Sequence, residues 1–356
     1  MKITGFTFEK YGSETIPYDW RDGLDGGKGG TKVELVMRVH TDEGIDGITW
    51  LRDHAISKDL IKRQIEPRFV GADPLLREQL WFKIWEIDRL EEFPMYALGY
   101  LDVALWDIAA KAAKVPLYKL MGGHKQRAKA YASTVTVPTI DDYLKLADAS
   151  IEAGYKAVKL HVWGRVHDDV KLVRALRSHV GPDIELMLDG SAGYTLDESI
   201  RLGRAMEEED YLWLEEPMRE FSLWSYERLC ETLDIPILAA ECTDGCHFNA
   251  SEWIRHGACD RIRTSWFYKG GFTGALKVAH LAESFQMEAD VHGGGPGALQ
   301  LVCAIPNSLY YEQIVPQAVL ADATLHGPIT PDADGWVYPP EVPGVGWDPD
   351  PARKVE

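Results

Sequence analysis

Residues Ile184-Glu185-Leu186-Met187-Leu188-Asp189 form a short apolar run closed by an acid. The same unit returns twice downstream: Tyr211-Leu212-Trp213-Leu214 ends in Glu215-Glu216-Pro217, and Pro236-Ile237-Leu238-Ala239-Ala240 ends in Glu241. Asp189, Glu215 and Glu241 stand 26 residues apart, about one strand–helix unit of a closed parallel barrel of roughly 200–250 residues. Acids at that interval fall side by side on the rim formed by the strands' carboxyl ends, where the active sites of such barrels form. One strand-end acid alone reads as a helix cap or a surface group, but capping does not require registry from strand to strand. Crowded carboxylates resist ionisation unless a cation sits among them. An all-oxygen set without cysteine or histidine favours Mg²⁺ over Zn²⁺.

Outward from this ladder the texture repeats. Further apolar runs occur at Ala128 to Thr134, Ala157 to Val162, Arg261 to Trp266, Met287 to Val291 and Ser308 to Tyr311. Amphipathic segments such as Asp141 to Ala153 and Asp168 to His179 separate most of them. Eight strands with helical crossovers predict an α/β fold with a closed parallel barrel. Upstream, residues 1–55 read as strands and turns, with Lys32 to His40 strand-like and Thr41-Asp42-Glu43-Gly44 a turn into Ile45 to Trp50. The glycine-rich stretch Arg21 to Gly30 reads as a mobile loop with Trp20 at its edge, a candidate lid. From about 57 to 120 the pattern is helical, and Leu101 to Ala113 shows one apolar face before Pro116 and Gly122-Gly123 end the segment. The Pro-, Gly- and Asp-rich tail beyond Val315 is expected to wrap back over the molecule. Three parts follow: 1–122, 123–314 and 315–356.

Composition narrows the function classes. The 356 residues are 46% hydrophobic and 26% charged, as in a globular enzyme rather than a disordered chain. A formal charge of −18 repels nucleic acid and anionic membrane surfaces. An anionic substrate would therefore need local positive charge, a metal ion or a lysine. Apolar runs are too short to span a membrane, and the start lacks a signal-peptide core. Five cysteines are too sparse for a disulfide framework, so a cytoplasmic location is expected.

The ladder extends both ways. One unit before Asp189, Lys159 and His161 share a strand face at i and i+2, and a lysine within an apolar strand calls for a function. Either could move a proton, or Lys159 could bind a substrate carboxylate. Beyond Glu241, His292 ends a strand before Gly293-Gly294-Gly295, and the last strand brings Glu312. Cys242, Cys246 and His247 lack the second cluster a zinc site needs. Gly293 to Gly297 lacks the ending of a phosphate loop. Trp106 and Trp213 read as packing residues.

In this order and spacing, the segments Ala104-Leu105-Trp106-Asp107-Ile108, Pro116 to Gly123, Leu214-Glu215-Glu216-Pro217, Ala240-Glu241 and Gly270-Gly271-Phe272-Thr273-Gly274 resemble the enolase superfamily, mandelate racemase-like branch. The resemblance spans nearly the whole chain. It implies an α+β capping domain, completed by the tail, over a modified TIM barrel, (β/α)7β. It further implies Mg²⁺ held by Asp189, Glu215 and Glu241, abstraction of the proton alpha to a carboxylate, and Glu312 bonding the enediolate. Such a weakly acidic proton leaves only if the developing charge is stabilised by preorganised charge.

Departures from the branch shape the expectation. Lys159-Leu160-His161 replaces the usual Lys-x-Lys and looks more like sugar-acid dehydratases. Ser265 stands where the partner aspartate of the seventh-strand histidine belongs, five residues before Gly270-Gly271. Tyr268 stands where muconate-lactonising relatives carry a lysine base. The reading adopted is a Mg²⁺-dependent sugar-acid dehydratase, with isomerisation on the same scaffold and a non-catalytic barrel as alternatives. Trp20, Arg21, Ser265 and Tyr268 are expected to contact substrate. The Lys159–His161 pair is expected to take the proton, with His292 as the acid, its pKa lowered without the aspartate. The expected partners are a small-molecule sugar acid and further copies of the chain, from dimer to octamer, with neither nucleic acid nor membrane.

Overall fold

The computed structural model describes residues 1–51, 55–91, 99–320, 324–325 and 327–356. Part of the helical pattern expected over 57–120, residues 92–98, thus lies outside the described residues.

Two sheets organise the chain. The first is antiparallel and built on a long hairpin, β1 (Ile3–Arg21) and β2 (Leu24–Thr41), turned by Asp22-Gly23 and followed by β3 (Gly47–Trp50). The second holds eight parallel strands: β4 (Ala128–Thr134), β5 (Ala157–His161), β6 (Glu185–Asp189), β7 (Leu214–Glu215), β8 (Ile237–Ala239), β9 (Arg261–Thr264), β10 (Ala289–Val291) and β11 (Tyr310–Val315). Hydrogen-bonded neighbours run β10-β9-β8-β7-β6-β5-β4-β11. The ends of this curl meet where Ala289 N–H donates to the Asn307 carbonyl and Gly293 N–H to Glu312. Every apolar run of the expected barrel overlaps a strand, with helices such as Ile140–Glu152, Val166–Val180 and Leu196–Glu208 between them. The lower interior is plugged by Tyr131, Met187, Trp213, Leu238 and Tyr310, leaving the carboxyl end to carry polar groups.

The cap helix Gly99–Ala113 corrects one expectation. It does not present a single apolar face: Leu101 through Leu105 and Asp107 through Ala110 are all buried. Sheet, barrel and tail surround it, so its two acids need internal partners. Asp102 accepts from the Thr273 N–H at 2.8 Å and the Thr273 hydroxyl at 2.6 Å, bonding the first turn of the barrel helix Phe272–Ser284. Trp106 donates to the same hydroxyl at 2.9 Å under the Arg77 guanidinium, so it packs at the cap–barrel seam rather than inside a core. Asp107 accepts from the N–H groups of Ile48 and Val345, tying β3 and the tail to one helix. The tail then adds β12 (Trp336–Val337) antiparallel to β4 and β13 (Lys354–Val355) to β1.

Candidate active site

The strand register brings the expected acids together. His161 pairs with Asp189 across β5 and β6, and Asp189 with Glu215 across β6 and β7. Oxygens of Asp189, Glu215 and Glu241 all lie within 4.8 Å of one another, and all three residues are buried. The backbone around them is strained. Ser191, Ala192, Glu216 and Ala240 all have positive φ, a region that non-glycine residues visit rarely and that clusters at functional sites.

Lys159 is held among three carboxylates. Its Nζ lies 2.8 Å from Glu312, 2.9 Å from Glu215 and 3.2 Å from Asp189. Burial opposes its charge, but Glu215 and Glu312 outweigh this and hold the ammonium well above the usual lysine range. Within the pair read from the sequence, Lys159 is thus the member already held by carboxylates. His161 is the other member. Its Nδ1 lies 2.6 Å from the Thr134 carbonyl, which only accepts, so Nδ1 carries a hydrogen and the Nε2 edge is turned to the site. That Nε2 stands 3.2 Å from Asp189.

His292 is not left without a carboxylate. Its Nε2 lies 3.2 Å from Glu241 Oε1, and its ring stacks on Tyr268 at 5.1 Å between centroids. Ser265 does not substitute for the family aspartate. Its buried hydroxyl accepts from the N–H groups of Phe267 and Tyr268, shaping the turn that presents Tyr268 to the histidine.

The stretch Arg21 to Gly30 is not a mobile loop either. It is the tip of the β1–β2 hairpin, folded over the barrel mouth. Two of its glycines are a floor for Tyr18: a Cβ on Gly27 would come within 2.8 Å of the Tyr18 ring, and one on Gly26 would collide with it. Tyr18 meets Trp20 edge-on at 5.3 Å, and Trp20 packs 4.6 Å from the His161 ring. Arg21 donates to the Ser191 carbonyl, Asp22 N–H to the Trp163 carbonyl and Thr136 to the Trp20 carbonyl, docking the tip. A groove of about 1150 Å³ lies at the opposite end around Lys125, Arg127, Glu288 and Ser308. That is the amino-terminal face of the strands, away from these groups.

Arg263 escaped the sequence reading. Fully buried on β9, it reaches Glu215 at 2.5 Å, Glu312 at 3.5 Å and Glu241 at 3.7 Å. Two fixed cations, Lys159 and Arg263, thus face four buried carboxylates, Asp189, Glu215, Glu241 and Glu312. The shortfall is a double positive charge. It falls on Glu241: burial first and then Glu215 push its carboxyl well above the usual range, although Arg263 opposes this. Asp189 behaves oppositely, because Lys159 and His161 outweigh burial and hold it low. An all-oxygen set two charges short fits a hard divalent cation. Asp189, Glu215 and Glu241 are the residues that would hold it.

Residues 142–353 match the enolase C-terminal domain-like family, and residues 29–122 the mandelate racemase / muconate lactonizing enzyme N-terminal domain. The structure of D-glucarate dehydratase from Agrobacterium tumefaciens complexed with magnesium is similar at a TM-score of 0.92 and 32% identity, covering 100% of both chains. Arabinonate dehydratase of Saccharolobus solfataricus is 28% identical over 81% of this chain and 79% of its own. A 3,6-anhydro-alpha-L-galactonate cycloisomerase of Streptomyces coelicolor is 28% identical over 88% of each. This chain therefore belongs to the mandelate racemase / muconate lactonizing enzyme family of the enolase superfamily, with the capped TIM-barrel fold.

Proposed function

We propose that the protein is a Mg²⁺-dependent dehydratase of a polyhydroxy (sugar) acid, removing the proton alpha to the carboxylate and the β-hydroxyl to release a 2-keto-3-deoxy acid. The observation that carries this reading is a pair of histidines on separate strands, each 3.2 Å from a different acid of the candidate cation site. The cation, when bound, supplies positive charge for the enediolate oxygens. His161 Nε2 takes the alpha proton, its ring held by the Thr134 carbonyl. His292 donates a proton to the departing hydroxide. Glu312 holds Lys159 and Arg263 in place beneath the reacting atoms, and Trp20 and Arg21 close the mouth against water. Tyr268 supports the His292 ring through its stacking face.

The substrate class is supported by the sugar-acid dehydratases among the relatives. A screen of a sugar-acid library with Mg²⁺, reading 2-keto acids with semicarbazide, tests it. Keto-acid release from at least one member is expected; isomerised product without keto acid contradicts it. That second outcome is the isomerase reading, which the cycloisomerase relative and the two separately placed histidines also suit. A homo-oligomer belongs to the same proposal, supported by Phe82, Phe221, Trp224 and Phe248, each more than half exposed. Sedimentation as a monomer would contradict that part.

A further inference from the structure

The turn that carries Glu241 is gripped on both sides of its backbone. On the loop after β7, Glu220 accepts three successive N–H groups: from Ala240, from Glu241 at 3.1 Å and from Cys242 at 2.9 Å. From the other side, Lys269 Nζ donates to the carbonyls of Ala240 at 2.5 Å and Thr243 at 2.9 Å, and to the Thr243 hydroxyl at 3.2 Å. Between the two grips Ala240 sits at φ +68°, the left-handed region that alanine disfavours. Lys269 is fixed in turn. Its carbonyl accepts from Cys246 Sγ at 2.9 Å, and a Cβ on Gly274 would collide with that carbonyl. Glycine at 274 thus lets helix Phe272–Ser284 press against the lysine.

We infer that Glu220 and Lys269 are positioning residues that together force the Ala240–Thr243 turn into the left-handed bend aiming Glu241 at Asp189 and Glu215. Each charge suits its task. Successive N–H groups around a left-handed residue make a cradle for an anion, and an ammonium offers three donors and no acceptor to converging oxygens. Both act on the backbone of the turn, so they set where the Glu241 side chain starts rather than touching substrate. The inference rests on the reading that Glu241 ligates the cation.

Mn²⁺ titration of the purified full-length protein, read by electron paramagnetic resonance, tests it without turnover. Glu220→Gln and Lys269→Met are each expected to weaken Mn²⁺ binding about ten- to hundredfold, as removal of a group that orients a ligand does. Adding Ala240→Gly to Glu220→Gln should restore part of the loss, because glycine takes the bend without being forced. A merely structural role would lower the melting temperature, leave Mn²⁺ affinity of the folded protein unchanged and show no rescue; that result overturns the proposal. Thr243→Val is the milder variant, removing one acceptor of Lys269, the hydroxyl, without stranding a buried charge. Weaker binding is expected there too, and wild-type affinity overturns the proposal should Glu220→Gln not fold. Glu241→Gln separates the two levels. If it binds Mn²⁺ as the wild type does, the cation reading fails and the proposal with it; if it alone loses affinity, only the positioning fails.

Discussion

Glu241 Oε1 stands 3.2 Å from His292 Nε2, so the seventh-strand histidine faces a carboxylate of the candidate cation site. The acid most short of positive charge and the acid catalyst of the proposed elimination are therefore neighbours. Removing the cation should silence the chemistry without unfolding the chain. Activity is expected to vanish with EDTA and return with Mg²⁺, while circular dichroism stays unchanged. Full turnover in metal-free protein would contradict the proposal.

Glu215 and Glu241 should answer substitution differently. Glu215 pairs with both Lys159 and Arg263, each of which keeps other carboxylates, so Glu215→Gln loosens two buried cations without stranding them. A loss of about 1–3 kcal/mol in stability is expected together with weaker metal binding. Glu241 has only Arg263 at 3.7 Å and His292 against the repulsion of its neighbours. Glu241→Gln should weaken metal binding while holding or raising the melting temperature of metal-free protein. Thermal unfolding in EDTA reads both, and equal destabilisation would refute the distinction.

The hairpin tip can be displaced through a glycine. In Gly26→Ala the added methyl meets the Tyr18 ring, which supports Trp20 over His161. An at least roughly tenfold fall in kcat/KM is expected, of the size that small misplacements near a reacting centre cause. The global melting temperature should hardly move. An unchanged kcat/KM would show that the Tyr18–Trp20 contact does not position the mouth.

Asp102 should give the cap–barrel seam a pH dependence. Burial pushes its carboxyl from 3.8 up to about 7, against the Thr273 hydrogen bonds and Arg77. Below pH 3.8 folded and unfolded chains both hold the proton. Between pH 4 and 7 only the folded chain keeps it, so stability falls as pH rises and levels off above about 7. The full window is worth on the order of 4 kcal/mol. Asp102→Asn keeps an acceptor for the Thr273 N–H and cannot ionise. The melting temperature of the wild type relative to this variant should therefore drop from pH 5 to pH 8; a constant difference would show that Asp102 does not titrate there.

The ladder of acids was legible because strand-end residues recur at the interval of the barrel unit, and the parallel register then places His161, Asp189 and Glu215 abreast. Arg263 was legible by the test that singled out Lys159, a cation inside one of the expected barrel strands. The grip of Glu220 and Lys269 was hidden, since it depends on the φ of Ala240 and on backbone groups no side-chain pattern records. The hairpin tip was misread for a related reason. Glycines signal a loop only while nothing lies on them, and Tyr18 does.

The division of proton-transfer labour is tested most directly by one NMR time course in D₂O, with the best acid from the library and Mg²⁺ present. His161→Gln is predicted to slow both alpha-proton exchange and dehydration by about 10²–10⁴-fold. His292→Asn is predicted to abolish dehydration while still exchanging the alpha proton. Loss of exchange in His292→Asn with exchange retained in His161→Gln would contradict the account and make His292 the base.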